Sequence, residues 1–307
     1  MSYDVTALPN YAKKNMTDLI KKAVLGAKTV TFFPIQAGIK KTENVLAMDT
    51  DVVFQANACG RNANGSTVFT ERSITVGAVK IEEDLCTIDL VDKSVAYVTK
   101  AGSYSDDVPF EQQYAELKSE MIAAANEKAL WQGDTTSGDA NLNKYDGFIK
   151  NIDAESGVIN GNTSNETSIT ASNAKLIADN IYKAFPMALK GREKIIACGY
   201  DFLDDYIQNI QDLNLYNYSL DNDESGNVKL VGKMGTTLVA FHGLDGTNRL
   251  FGGQKENFVV GTDLAGEFEQ YKMMYNEFED ITMFTCKFKL GTAVKVPSEI
   301  VEFTVSA

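Results

Sequence analysis

Histidine and tryptophan are almost missing: the 307 residues hold one of each, His242 and Trp131. Acid–base chemistry at neutral pH falls most readily to histidine, so a hydrolytic triad has a single place to start. Long apolar runs are missing too. Stretches such as Ile195–Cys198 and Phe258–Val260 are short, far from the ~20 residues that span a bilayer. The start, Met1-Ser2-Tyr3-Asp4, has no basic region leading into an apolar one, so no signal peptide is expected. Cysteine is sparse. Cys59, Cys86, Cys198 and Cys286 form no CxxC pair and read as buried thiols of a reducing compartment. Cys59 and Cys86 can flank a long hairpin and pair, although nothing in their spacing requires it. Positive charge is short: 29 Lys and Arg against 42 Asp and Glu give −13 at pH 7. A protein that grips phosphate backbones carries a basic stripe, and none is evident. GxSxG, a Walker loop, GxGxxG and HExxH are all lacking.

The few candidates for chemistry are weak. His242 lies beside Gly243 and near Asp245 and reads as a turn residue after a strand. Asp221-Asn222-Asp223-Glu224-Ser225-Gly226 imitates the first half of a calcium loop, but Gly232 stands where the bidentate glutamate belongs. It reads as a solvated turn. The acids Glu82-Glu83-Asp84 and Asp204-Asp205 label solvated faces rather than a facing pair across a sugar. Trp131 reads as a buried anchor. No catalytic, cofactor-binding or metal-binding residue is assigned, and no cofactor is expected.

What is present is the composition of a folded chain, 44% hydrophobic and 23% charged, long enough for about two domains at ~150 residues each. Residues 1–50 read as an arm. Ala12 to Gly26 forms a short basic amphipathic helix, with Met16, Leu19, Ile20, Ala23 and Val24 on one side and Lys13, Lys14, Lys21 and Lys22 elsewhere. Thr29–Phe33 is extended in character. Residues 51–85 read as a long hairpin. Its legs are Asp51–Ala56 and Arg72–Ile81, its turn-rich tip is Gly60–Ser66, and a bulge falls near Gly77, where the apolar phase slips.

Pro109 to Gln132 reads as one long helix with Phe110, Tyr114, Leu117, Met121 and Ala124 inward. A second unit begins near Thr170. A helix at Asn173–Lys190 turns Leu176, Ile177, Ile181 and Phe185 inward, with Pro186 as a kink. A buried strand at Lys194–Cys198, a helix at Asp201–Leu213, and strands at Thr236–Phe241 and Asn257–Val260 follow. Phe284, Cys286, Phe288 and Leu290 alternate with polar residues, as in a half-buried strand. The fold class is α+β.

The order of these parts, with Leu130-Trp131-Gln132-Gly133, Tyr145-Asp146-Gly147-Phe148-Ile149 and Asn257-Phe258-Val259-Val260-Gly261-Thr262-Asp263-Leu264, resembles the major capsid protein of tailed bacteriophages, the Hong Kong phage-type shell fold. The resemblance covers nearly the whole chain. It implies an N-arm at 1–50, an E-loop hairpin at 51–85, a P-domain with a spine helix at 86–165 and 265–307, and an A-domain at 166–264. It implies a structural protein, not an enzyme, located in the virion and made in the host bacterial cytoplasm. Pentamers and hexamers would close an icosahedral shell around double-stranded DNA held without sequence-specific contacts. Portal and scaffolding proteins, and in some shells a decoration protein, would be partners; a membrane would not.

Two departures qualify the resemblance. The arm is shorter than the scaffolding region some members carry, so either the scaffold is a separate protein or the sequence begins at a processed end, and Met1 favours the first. Lys80 and Asn62 match no crosslinking motif, and no crosslink is assigned. An encapsulin-like compartment shell, another phage structural protein of tail or adhesion type, and an acidic hydrolase are the competing readings.

Overall fold

The computed structural model describes residues 26–55, 57, 59–61, 64–86, 110–213, 226–263, 270–279 and 281–306. The expected basic helix at Ala12–Gly26 and the acidic Asp221–Gly226 turn fall almost wholly outside them.

Thirteen strands and five α-helices are named here in chain order. The longest strand, β12 (Ile281–Val294), organises a five-stranded sheet. β11 (Gln270–Asn276) and β4 (Gly77–Cys86) both pair antiparallel with it. β10 (Phe258–Thr262) takes its last five residues, and β1 (Ile35–Gln36) adds parallel to β10. Phe284, Cys286, Phe288 and Leu290 are buried as the alternation predicts. The covering element is α2 (Phe110–Gln132), which is 23 residues long and therefore ~35 Å at 1.5 Å per residue.

The buried face of α2 differs from the expected one. Ala115, Ser119, Ile122, Asn126 and Ala129 point inward, whereas Leu117 is 61% and Met121 64% exposed, and Ala124 is exposed as well. The cause is complementary bulk. The sheet offers Tyr271, Phe284 and Phe288, so the helix must present small side chains to approach it. Tyr271 Oη then donates to Ala115 O at 3.1 Å.

A six-stranded sheet runs β5-β13-β9-β6-β8-β7. These strands are β5 (Ile159–Asn160), β6 (Lys194–Cys198), β7 (Val228–Lys229), β8 (Thr236–Ala240), β9 (Arg249–Gly253) and β13 (Val301–Thr304). β6 and β8 are parallel, and β9 runs antiparallel to β6. Every residue of β6 is buried because both of its faces are covered. On one face, α4 (Ala174–Ala184) and α5 (Tyr200–Asp212) bury Ile177, Ile181, Phe202 and Tyr206 against Ile196 and Leu238. Leu176, expected inward, is 45% exposed. Pro186 ends α4 rather than kinking it, and a 3₁₀ turn follows at Met187–Leu189.

The other face of this sheet joins the core beneath α2. Ile195, Ala197, Val239 and Phe251 lie in one cluster with Trp131, Phe148 and Phe258. The short α3 (Phe148–Asp153) closes that side. The arm reading is corrected at residues 27–33. Lys28–Phe32 is a helical turn, α1, not an extended segment, and Thr29, Val30 and Phe33 are buried. Phe33 rings against Trp131, Phe148, Phe241 and Phe258 at centroid distances of 6.1, 5.7, 5.4 and 5.0 Å. The reason is tertiary. Glu127 of α2 accepts from Thr29 N at 2.8 Å and from Thr29 Oγ1 at 2.7 Å, which satisfies donors that a lone turn leaves open.

Candidate assembly surface

The hairpin is real, but its legs are displaced. β2 (Thr42–Thr50) pairs with β3 (Thr67–Thr75), with Thr42 opposite Thr75 and Thr50 opposite Thr67. The first leg is therefore Thr42–Thr50, not Asp51–Ala56. The return leg splits after Thr75, and β4 joins the β12 sheet. In place of the expected bulge near Gly77, the strand breaks there and changes sheets. A Cβ at Gly77 would stand 2.1 Å from Lys144 O, so only glycine lets the chain cross there.

Nine residues per leg give the ribbon a reach of ~30 Å at ~3.3 Å per residue. Its root is well held. Val45 and Ile74 are buried with Ile39, Val76, Val259 and Ala293. Lys289 Nζ donates to Lys40 O at 2.7 Å and pairs with Asp263 at 3.1 Å, both side chains being buried. Arg72 reaches Glu155 at 2.5 Å and ties β3 to the chain just after α3.

Beyond the root, no described residue covers the outer face of the ribbon. Direct partners in an antiparallel pair share a face. Met48 opposes Phe69 and Leu46 opposes Glu71, so Leu46, Met48 and Phe69 form one apolar surface, 64, 67 and 66% exposed. Past the strands, Val52 and Phe54 are 70 and 97% exposed. Contiguous exposed apolar side chains on a two-stranded ribbon mark a surface that another polypeptide covers.

Electrostatics support the elements rather than a reaction centre. Glu83 of β4 accepts from Lys118 and from Tyr114 Oη of α2. The Lys118 bond, aided by Tyr114, lowers its carboxyl below the ordinary range against the opposing effect of burial. Burial pushes Glu127 up, and its two Thr29 bonds only partly offset that. Lys150 bridges Asp134 and Asp146 at 2.6 and 2.8 Å and, with Thr136, holds Asp134 down at about 2.

The sequence candidates for chemistry are scattered. His242 Nδ1 is spent on Asp245 Oδ2 at 2.9 Å, and its ring stacks on Tyr200 at 4.2 Å. Asp245 Oδ1 accepts from Tyr200 N at 2.6 Å and so caps α5. Glu82 pairs with Lys80, and Glu83 with Lys118. Asp205 lines a small cleft with Asp201, Phe202 and Arg249, and Asp204 is exposed. Trp131 is the expected anchor: it is fully buried and donates to Thr29 Oγ1 at 2.7 Å. Among the described residues no His, Cys, Asp and Glu group is arranged to hold a metal ion. Cys198 and Cys286 are buried as expected, but Cys59 is exposed; none of the three is in a disulfide, so Cys59 is not bonded to Cys86.

No protein-family model matches the sequence, and no curated protein does. Solved structures do. A chain of the satellite phage P4 procapsid including the size determination (Sid) protein aligns at TM-score 0.61 and 10% identity, over 96% of this chain and 99% of that one. The capsid of an empty GTA particle aligns at 0.56 and 12%, covering 93% and 90%. A virus-like particle from Pyrococcus furiosus aligns at 0.54 and 10%, covering 95% and 98%. The chain has the phage major capsid protein-type fold. The three motif stretches meet in one core beneath α2. Leu130, Trp131, Tyr145 and Phe148 pack together with Phe258 and Val260.

Proposed function

We propose that this chain is the major shell protein of a tailed phage, assembling as pentamers and hexamers around double-stranded DNA. The observation that carries the reading is the uncovered apolar face Leu46–Met48–Phe69 on a chain with a capsid-type fold. Repeated heterologous contacts through such a limb generate rings and closed shells. The hairpin Thr42–Thr75 is the limb, α2 with the β12 sheet the peripheral domain, and the six-stranded sheet with α4 and α5 the domain near the capsomer axis. The role is structural rather than enzymatic. Portal, scaffolding and decoration proteins are the partners expected of such a shell, and the virion is its location. No helix among the described residues is long and apolar enough to cross a membrane. The balance of −13 suits a container, since packaged DNA brings its own counterions.

The test is electron microscopy of the purified full-length protein with extraction of its contents. Icosahedral particles holding DNA, or empty shells that fill with it during infection, support the reading. Particles that carry a protein cargo instead favour a compartment shell, a second reading that the virus-like particle of similar fold keeps in view. A monomer at every concentration overturns both.

A further inference from the structure

Four steps in the chain put an asparagine or aspartate directly before a glycine: Asn64–Gly65, Asp146–Gly147, Asn160–Gly161 and Asp245–Gly246. At such a step the glycine nitrogen can reach the side-chain carbonyl carbon, because no Cβ stands in the way. The approach requires a nitrogen that is free to swing. Three of the four are held. Gly147 N donates to Gly133 O at 2.8 Å, and Gly161 N donates to Glu302 O at 2.7 Å. Gly246 N donates to Asp201 Oδ2 at 2.9 Å. The Asn160 step is held twice, since its Oδ1 accepts from Asn162 N at 2.8 Å.

Asn64–Gly65 differs. It lies just before β3 near the tip of the ribbon, and both residues are exposed. Asp51 N donates to Ser66 O at 2.9 Å, so the ladder runs one pair beyond Thr50 and Thr67. In an antiparallel ladder the next residue turns its N–H away from the partner strand. Gly65 N therefore faces outward, and among the described residues neither it nor the Asn64 amide has a partner.

We propose that Asn64 is a site of spontaneous deamidation, a step that the fold leaves open where it locks the other three. Gly65 N gives up its proton to solvent and bonds to Asn64 Cγ. The Cγ–Nδ2 bond breaks, and the amide nitrogen takes a proton and leaves as ammonia. The resulting succinimide takes up one water and opens at either carbonyl, leaving aspartate or isoaspartate at position 64. Nothing is oxidised or reduced. The product adds a negative charge near the ribbon tip, and the isoaspartate form also lengthens the main chain there by a methylene. The age of each copy is thus written on the ribbon, whether or not the ribbon is an assembly limb.

Peptide mass mapping of the full-length protein, incubated in its native state at mildly alkaline pH, tests this. The Asn64 peptide is expected to shift from amide to acid mass and to split into aspartate and isoaspartate forms. The Asn160 peptide of the same sample should convert at least about ten-fold more slowly, which corresponds to ~1.4 kcal/mol of local opening at β5. In urea the two should convert at similar rates, because neither glycine nitrogen is then held. Gly65→Ala should slow the Asn64 step several-fold and leave Asn160 as it was. Equal native rates at the two asparagines would overturn the proposal. So would an Asn64 peptide that keeps its mass while the urea-treated one converts, or a Gly65→Ala rate equal to that of the wild type.

Discussion

Trp131 Nε1 donates to Thr29 Oγ1 at 2.7 Å across 102 residues of sequence, and the same hydroxyl donates to Glu127 Oε1 at 2.7 Å. One threonine thus serves the only tryptophan and a buried carboxylate of α2 at once. Gly243 closes over the group so tightly that a Cβ there would lie 2.4 Å from Trp131 Cδ1. Thr29→Val keeps the shape and strips the hydroxyl, leaving the indole N–H and one carboxylate oxygen buried without partners. A loss of about 2–4 kcal/mol is expected, read as a lower denaturant midpoint at unchanged slope. Thr29→Ser should cost under half as much. Equal losses for the two would contradict the hydrogen-bonded account.

The pH dependence of Glu127 has a definite sign. Burial raises its carboxyl above the ordinary value of 4.5, so the folded state binds that proton more tightly than the unfolded state does. Its contribution is therefore most favourable below 4.5 and declines as pH rises through the elevated folded value. Glu127→Gln removes this dependence and still accepts from Thr29 N, while Thr29 Oγ1 has a lone pair for the new amide. The variant should match or exceed the parent in thermal stability at pH 7, with the advantage gone near pH 4. A variant less stable at pH 7 would show that the charged hydrogen bonds outweigh desolvation.

Arg72 and Glu155 are partly exposed, so their separation costs only about 0–1 kcal/mol of global stability. The local effect is larger, because this pair steers the hairpin. Arg72→Ala should leave the melting temperature within a few degrees while amide exchange in Thr42–Thr50 and Thr67–Thr75 quickens. Deleting Gly60–Ser66, beyond the paired strands, should likewise spare folding of the monomer and impair assembly. Shells of unchanged heat resistance from the deletion would refute the hairpin's role as an assembly limb.

The thiols should respond in two classes. Cys59 is exposed, whereas Cys198 and Cys286 are buried, and burial pushes the Cys198 thiol far above its usual range. A maleimide should label Cys59 in the native protein, and Cys198 and Cys286 only after unfolding, as mapped by peptide mass. Native labelling of Cys198 would contradict the packing of β6 under α5.

Much of the fold was legible because burial within one chain writes a period into it. The alternation along Phe284–Leu290, the fully apolar Ile195–Cys198 and the length of α2 all came through. The misreadings share a cause. α2 meets a sheet rich in Phe, so its inward face is small and partly polar, and its larger Leu117 and Met121 point outward. Lys28–Phe32 is helical through a carboxylate 98 residues away, which no local pattern reveals. The β2 leg is misread because only its root is buried: Val45 packs inside, whereas Leu46 and Met48, on the opposite face, are exposed. The stretch Glu43-Asn44-Val45-Leu46-Ala47-Met48 therefore carries apolar residues on both faces and shows no clean alternation. Only the phase slip at Gly77 betrayed where the ribbon rejoins the domain.

The central claim is that Leu46, Met48 and Phe69 find their cover on other copies of this chain. Electron microscopy of wild type beside Met48→Asp/Phe69→Asp, purified alike at matched concentration, tests it most directly. The account predicts closed shells for the wild type, with these three side chains buried at contacts between subunits, and only folded, unassembled subunits for the double variant. Intact shells from the double variant, or wild-type shells in which this face stays bare, would contradict it.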